Sequence, residues 1–151
     1  MIYITIVAGI FLAEFFGKSY IEKHKKEGKE EPVWGGRIVI RKYHNRGAFL
    51  NAGEGRSSVV AVLSFSLTVC VAVFFLLTGR QKGKYMMKTG LALLLGGALS
   101  NTYDRLKRKY VVDYFSFGVK WKRLRNIVFN ISDFCILAGT LLTVLGQEET
   151  L

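Results

Sequence analysis

Residues 126–147 read NIVFNISDFCILAGTLLTVLGQ and carry one formal charge, Asp133. A carboxylate at bilayer depth is costly unless it faces inward, paired or at work. Asp113, in YVVDYF, is the only other acid after Asp104 and before the C-terminal EE. Two carboxylates brought together in a poorly solvated cleft cannot easily both ionise; one pKa rises and the pair shares a proton. Such a pair activates water: one carboxylate takes its proton while the other protonates or polarises the attacked carbonyl. The same residues also admit a structural reading, in which Asp113 caps a turn and Asp133 bonds to Asn130 or to another span.

Further polar residues interrupt the apolar frame. SNTYDR holds Asn101 and Asp104 three apart, and FNISDF repeats that spacing with Asn130 and Asp133. On a helix each pair shares a face. Each is then either a helix-terminal cap or part of a shared polar interior. A salt bridge from a helix end to a polar loop would explain Asp104 and its neighbour Arg105. Glu14 and Lys18, four apart in the favourable order, suit a helix ion pair that anchors a span. In HNRGAFLNAGEG, Asn45 and Asn51 flank an apolar triplet, and Gly47, Gly53 and Gly55 keep the backbone permissive. This is either a binding loop at the mouth of a bundle or a plain turn. His24 and His44 form no metal cluster. Cys70 and Cys135 lack metal-ligand spacing and read as buried small hydrophobes without a disulfide.

Half of the 151 residues are hydrophobic and the net charge is +11. Because the basic residues fall between long apolar runs, the charge fits lipid headgroups better than nucleic acid. Four membrane spans are expected, at 2–17, 57–77, 88–104 and 126–145, in one domain over 1–151. The third is short and needs YMM or a snorkelling Lys88 to reach full length. The first lacks the basic start and cleavage site of a signal peptide and reads as a retained helix. Between the first two spans, KSYIEKHKKEGKEEP reads as solvated, and VWGGRIVIRKY as a short hairpin at the interface. VVDYFSFGVKW reads as a further strand, and Trp34 and Trp121 as interfacial aromatics. The fold class is an all-α membrane protein with a small β-rich cradle.

Taken in order, these islands resemble the lipoprotein signal peptidase (signal peptidase II) family along nearly the whole chain. The family's Asn-x-x-Asp-Arg motif looks like GGALSNTYDR here; its first catalytic aspartate corresponds to Asp113 in VVDYF and its second to Asp133 in FNISD. EFFGK, with Glu14 and Lys18, resembles the motif of the first helix, and NRGAF, with Asn45, Gly47 and Phe49, the one before the second. Glu14, Phe15, Ser100, Lys109 and Ser132 depart from the usual residues, and NRGAF is one residue short.

The resemblance implies a four-helix aspartic endopeptidase of the bacterial cytoplasmic membrane. It would cut prolipoproteins just before the diacylglyceryl-modified cysteine, with membrane lipid around it, as a monomer and without cofactor. Asp113 and Asp133 would be catalytic; Asn45, Gly47, Asn101, Asp104, Arg105, Asn130, Glu14 and Lys18 would bind substrate or support the pair. The rival is a weak or inactive paralogue that binds lipidated peptides without cleavage. The resemblance also puts both termini in the cytoplasm and the active site outside. A bare positive-inside count runs the other way, since residues 18–56 carry ten basic and five acidic residues and 104–125 carry eight and two.

Overall fold

The computed structural model describes residues 1–48 and 54–148. The elements in chain order are α1 (Ile2–His24), β1 (Glu30–Val33), β2 (Ile38–Asn45), α2 (Ser57–Gly79), α3 (Tyr85–Lys107), β3 (Val111–Phe117), the short α4 (Lys122–Arg125) and α5 (Ile131–Glu148). A one-turn 3-10 helix, Glu54–Arg56, leads into α2. Helix α3 is central, with α1, α2 and α5 packed around it.

The protein is a mostly helical membrane protein. Helices α1 and α2 are each long and apolar enough to cross a bilayer, and α5 is a shorter apolar helix. Along α2 only Val60, Thr68 and Thr78 are buried, while Leu63, Leu67, Phe74 and Leu77 are exposed. A helix uncharged over its length and apolar on all sides needs a hydrocarbon solvent. Cys70 lies on that exposed surface, so it is not buried as its apolar context suggested. Polar contacts help to hold α2 to α3: Thr68 and Thr102 hydroxyls lie 2.8 Å apart, and the Thr102 hydroxyl also donates to the Ser64 carbonyl.

Close approach of α3 and α5 follows from glycine on both sides. A Cβ at Gly90 would lie 2.5 Å from the Thr143 nitrogen, and one at Gly97 would lie 2.6 Å from the Ser132 carbonyl. Gly139 and Gly146 of α5 are equally crowded by α3. Without a hydrophobic drive between helices in lipid, such small-residue seams supply the packing.

At the end of the bundle where α1 and α3 finish and α5 begins lies an antiparallel sheet of order β1-β2-β3. The expected hairpin is present. Trp34, Gly35 and Gly36 all take positive φ between β1 and β2, and glycine removes the Cβ penalty at two of the three. The sheet is tied to α1 by Glu22, which meets Lys42 at 3.1 Å and His44 at 3.0 Å and accepts from the Tyr110 hydroxyl. Trp34 and Trp121 are both exposed.

Three boundaries differ from the sequence reading. The stretch from Lys18 to His24 is the end of α1 rather than solvated chain, and Lys18 is fully buried. Helix α3 runs on to Lys107, past the expected end at 104, while it takes in the YMM flank as expected and its Lys88 ammonium reaches back to the Gln81 carbonyl. Helix α5 starts at Ile131, five residues late, because Phe129 pairs by backbone with Phe115 of β3.

Candidate active site

Strand β3 carries Asp113, and the N-terminus of α5 carries Asp133. Residues 126–130 bend back to the edge of β3, and this brings the two acids to the same cavity. Both line one cavity of about 790 Å³, with Asn45, Asn101 and Arg105 and an apolar wall from Phe129, Phe134, Ile136 and Leu137.

Asn130 joins the acids. Its side-chain amide donates to Asp113 Oδ1 at 2.6 Å, and its backbone N–H donates to Asp133 Oδ2 at 3.0 Å. The Asn130 amide oxygen accepts from the Asp133 backbone N–H at 3.1 Å, which completes a reciprocal cap on α5. Capping and pairing therefore coexist in the same two residues. The remaining oxygens are also served: Asn45 donates to Asp113 Oδ2 at 3.2 Å, and Asn101 donates to Asp133 Oδ1 at 3.0 Å.

The direction of each asparagine amide is fixed from behind by a group that can only donate. The Asn130 oxygen faces the Asp133 N–H, the Asn45 oxygen faces the Gly47 N–H at 3.1 Å, and the Asn101 oxygen faces the Lys18 ammonium at 2.8 Å. Each NH₂ must then point at a carboxylate. Asp113 is 2 % exposed. Burial, and then the charge of Asp133, push its pKa up from the usual carboxylate range to about 7, against the opposing pull of the Asn130 and Asn45 amides.

Behind the pair lies a buried charged layer. Lys18 meets Asp104 at 3.2 Å and Glu14 at 3.7 Å and donates to Ser100 and Asn101. Asp104 also accepts from the Val112 backbone N–H, which fixes the strand residue before Asp113. Its arginine partner is Arg108, at 3.4 Å, at the end of the same helix rather than in a polar loop. Arg105 donates to the Gly47 carbonyl at 3.1 Å and holds the start of the loop that follows Asn45. Glu14 accepts from the Tyr114 hydroxyl at 2.6 Å, the Ser132 hydroxyl at 2.8 Å and the Ser132 N–H at 3.1 Å. The Glu14–Lys18 pair is thus in the interior and not at the interface.

All ten sequence-predicted residues lie in or directly behind this cavity. Phe49, Asn51 and Gly53 of the same loop fall outside the described residues. Two participants were not foreseen. Tyr114 was betrayed only by following Asp113 in a strand, which turns it to the opposite face, toward α1. Arg108 was hidden in a basic block and marked only by its i+4 spacing from Asp104.

The fold and cavity together define a helical membrane protein with a buried, amide-braced carboxylate pair at the sheet end of its bundle. Residues 6–147 match the model of the signal peptidase (SPase) II family. The chain is 31% identical over 142 residues to a lipoprotein signal peptidase of Lactobacillus gasseri, covering 94% of this chain and 88% of that protein. It is 30% identical over 151 residues to one of Halothermothrix orenii, covering 99% and 97%. A solved bacterial membrane enzyme shares the fold with a TM-score of 0.82 at 21% identity, over 97% of this chain and 87% of that one. The chain belongs to the signal peptidase II family, and that membership supports a hydrolytic, protease role.

Proposed function

We propose that this protein is an aspartic endopeptidase that cleaves prolipoprotein signal peptides on the N-terminal side of the diacylglyceryl-modified cysteine. The observation that carries the reading is the convergence of Asp113 and Asp133 on Asn130 inside a cavity with one apolar wall. The four long helices cross the bacterial cytoplasmic membrane, both termini lie inside, and the cavity opens toward the extracytoplasmic face. The protein works as a monomer and needs no cofactor.

The lipid chains of the substrate lie along the apolar side of α5, where Leu137 and Ile136 line the cavity. The peptide before the cysteine lies extended near the sheet. The ionised member of the pair takes a proton from water, and the water oxygen adds to the scissile carbonyl. The protonated member donates to the carbonyl oxygen. Collapse of the tetrahedral adduct breaks the C–N bond: the proton first taken from water goes to the leaving amine, and a hydroxyl proton of the adduct returns to the carboxylate that had donated one. A proton held by Asp113 near neutral pH suits this sharing.

The departures from the family pattern leave the braced acid pair intact. Glu14, Ser132 and Ser100 do not leave gaps: Ser132 bonds Glu14, and Ser100 bonds Lys18. The test is cleavage of a purified lipidated peptide by the reconstituted protein. Asp113→Asn and Asp133→Asn are each expected to abolish product while still binding the peptide. Full cleavage by either variant, or intact peptide with the unaltered protein, overturns the proposal.

A further inference from the structure

Around the sheet several basic residues are held in ion pairs. Lys25 meets Glu31, Arg41 meets Glu30, Lys42 meets Glu22 and Arg108 meets Asp104. The run VKWKRLRN, residues 119–126, concentrates basic residues without such partners. It holds Lys120, Lys122, Arg123 and Arg125 with no acid, and among the described residues none of the four is in an ion pair. All four are exposed, as are Val119 and Trp121, the latter at 66%.

The place of this run in the fold is fixed from both sides. It follows β3, and the backbone after it pairs with β3 through Phe129 before α5 begins at Ile131. With α5 in the bilayer, the run lies at the headgroup level. Arg123 and Asn126 line the cavity, so the run is also part of its rim.

We propose that this cationic rim, centred on α4, docks on anionic phospholipid headgroups of the bilayer that holds α5. Unpaired Lys and Arg side chains near a bilayer surface are drawn to anionic lipid, and an indole among them matches the interfacial zone. In the proposed topology these charges lie outside, where the positive-inside rule disfavours them; a headgroup partner gives them a use. Docking holds the cavity mouth at the surface along which a lipid-bearing substrate arrives. The inference rests on the membrane placement of α5 and not on the cleavage chemistry, so the test needs no turnover.

The chain has two tryptophans. Trp34→Phe therefore leaves Trp121 as the only reporter in the full-length protein. This variant is reconstituted into liposomes with brominated acyl chains placed on either phosphatidylglycerol or phosphatidylcholine, at equal mole fraction and equal total anionic content. Brominated phosphatidylglycerol is expected to quench Trp121 more strongly. Raising salt from about 0.1 M to about 1 M, which shortens the screening length from about 10 Å to about 3 Å, is expected to remove the difference. Adding Lys120→Gln, Lys122→Gln and Arg125→Gln is expected to remove it as well. Equal quenching by the two lipids at low salt overturns the proposal, and so does a preference that survives the triple substitution. If quenching ignores lipid charge while the triple variant raises KM for an acidic lipidated peptide, the rim belongs to the substrate and the proposal also fails.

Discussion

Replacing Lys18 with methionine tests the charged layer beneath the acid pair. Lys18 is 1% exposed and meets two buried carboxylates, Asp104 at 3.2 Å and Glu14 at 3.7 Å. Its ammonium also fixes the Asn101 amide that donates to Asp133. Removing one partner of a buried charge group costs about 3–5 kcal/mol, because the remaining charges lose compensation. Arg108 still faces Asp104, and Tyr114 and Ser132 still donate to Glu14, which places the expected loss near the lower figure. A loss of about 3 kcal/mol lowers the folding equilibrium constant on the order of a hundredfold. The assay is denaturant unfolding in a fixed detergent, with cleavage measured under conditions where the variant remains folded. Lys18→Met is expected to be destabilised by about 3 kcal/mol and to cleave poorly, because Asn101 is free to turn its oxygen toward Asp133. Adding Asp104→Asn is expected to recover part of the stability, with a coupling of about 0.5–3 kcal/mol. A Lys18→Met protein within about 1 kcal/mol of the original, or a coupling near zero, would refute the buried network as the source of stability.

Other perturbations separate stability from chemistry. Since the folded-state pKa of Asp113 is raised to about 7, the folded protein holds this proton more tightly than the unfolded chain does. Stability is therefore expected to fall as pH rises from about 4 to about 7, by up to roughly 4 kcal/mol, and unfolding of Asp113→Asn across that window should lack this component. Gly97→Ala and Gly146→Ala each push a Cβ into the facing helix, against the Ser132 carbonyl and the Met87 backbone respectively. Both should cost about 1–3 kcal/mol in unfolding assays, but only Gly97→Ala should lower kcat, because Ser132 adjoins Asp133. Glu14→Asp withdraws the carboxylate from Ser132, so it should cost more with Ser132 present than in a Ser132→Ala background. A double-mutant cycle on unfolding free energy measures that difference.

Hydropathy revealed the helices because lipid demands long uninterrupted apolar runs, and α2 is the clearest case. It could not place the start of α5. Residues 126–130 are uncharged, and an apolar extended segment beside β3 looks the same as a helix in composition. The capping pattern of Asn130 and Asp133 carried the boundary, but it is also a plausible mid-helix pair. Similarly, the charges after Glu14 looked solvated because a single sequence cannot show which of them has a partner 80 residues away. Lys18 finds Ser100 and Asn101, and Glu22 finds Tyr110. Asp104 was correctly marked as paired, yet its neighbour Arg105 points away along the helix, whereas Arg108, one turn later, lies on the same face. The two acids themselves were legible because each is the lone charge in an apolar stretch.

The layering of neutral and charged groups fits the proposed sharing of a proton by the pair. If Lys18 touched Asp133 directly, its charge would favour ionisation of both acids, and neither would be left as a proton donor. Asn101 stands between them instead: its oxygen takes the ammonium, and its NH₂ meets the carboxylate. The amides of Asn45 and Asn130 serve Asp113 in the same way, without adding a charge. A neutral donor steadies the geometry in either protonation state, while burial and the second acid hold the Asp113 pKa near 7. Arg105 lines the cavity and is turned to the Gly47 carbonyl, while Lys18 and Arg108, with Glu14 and Asp104, lie one layer further back, where they secure β3 and the start of α5. Position is thus set by the amides and the charged layer behind them, and the proton affinity of Asp113 by burial and the second acid, a division that suits the proposed exchange of a proton with water.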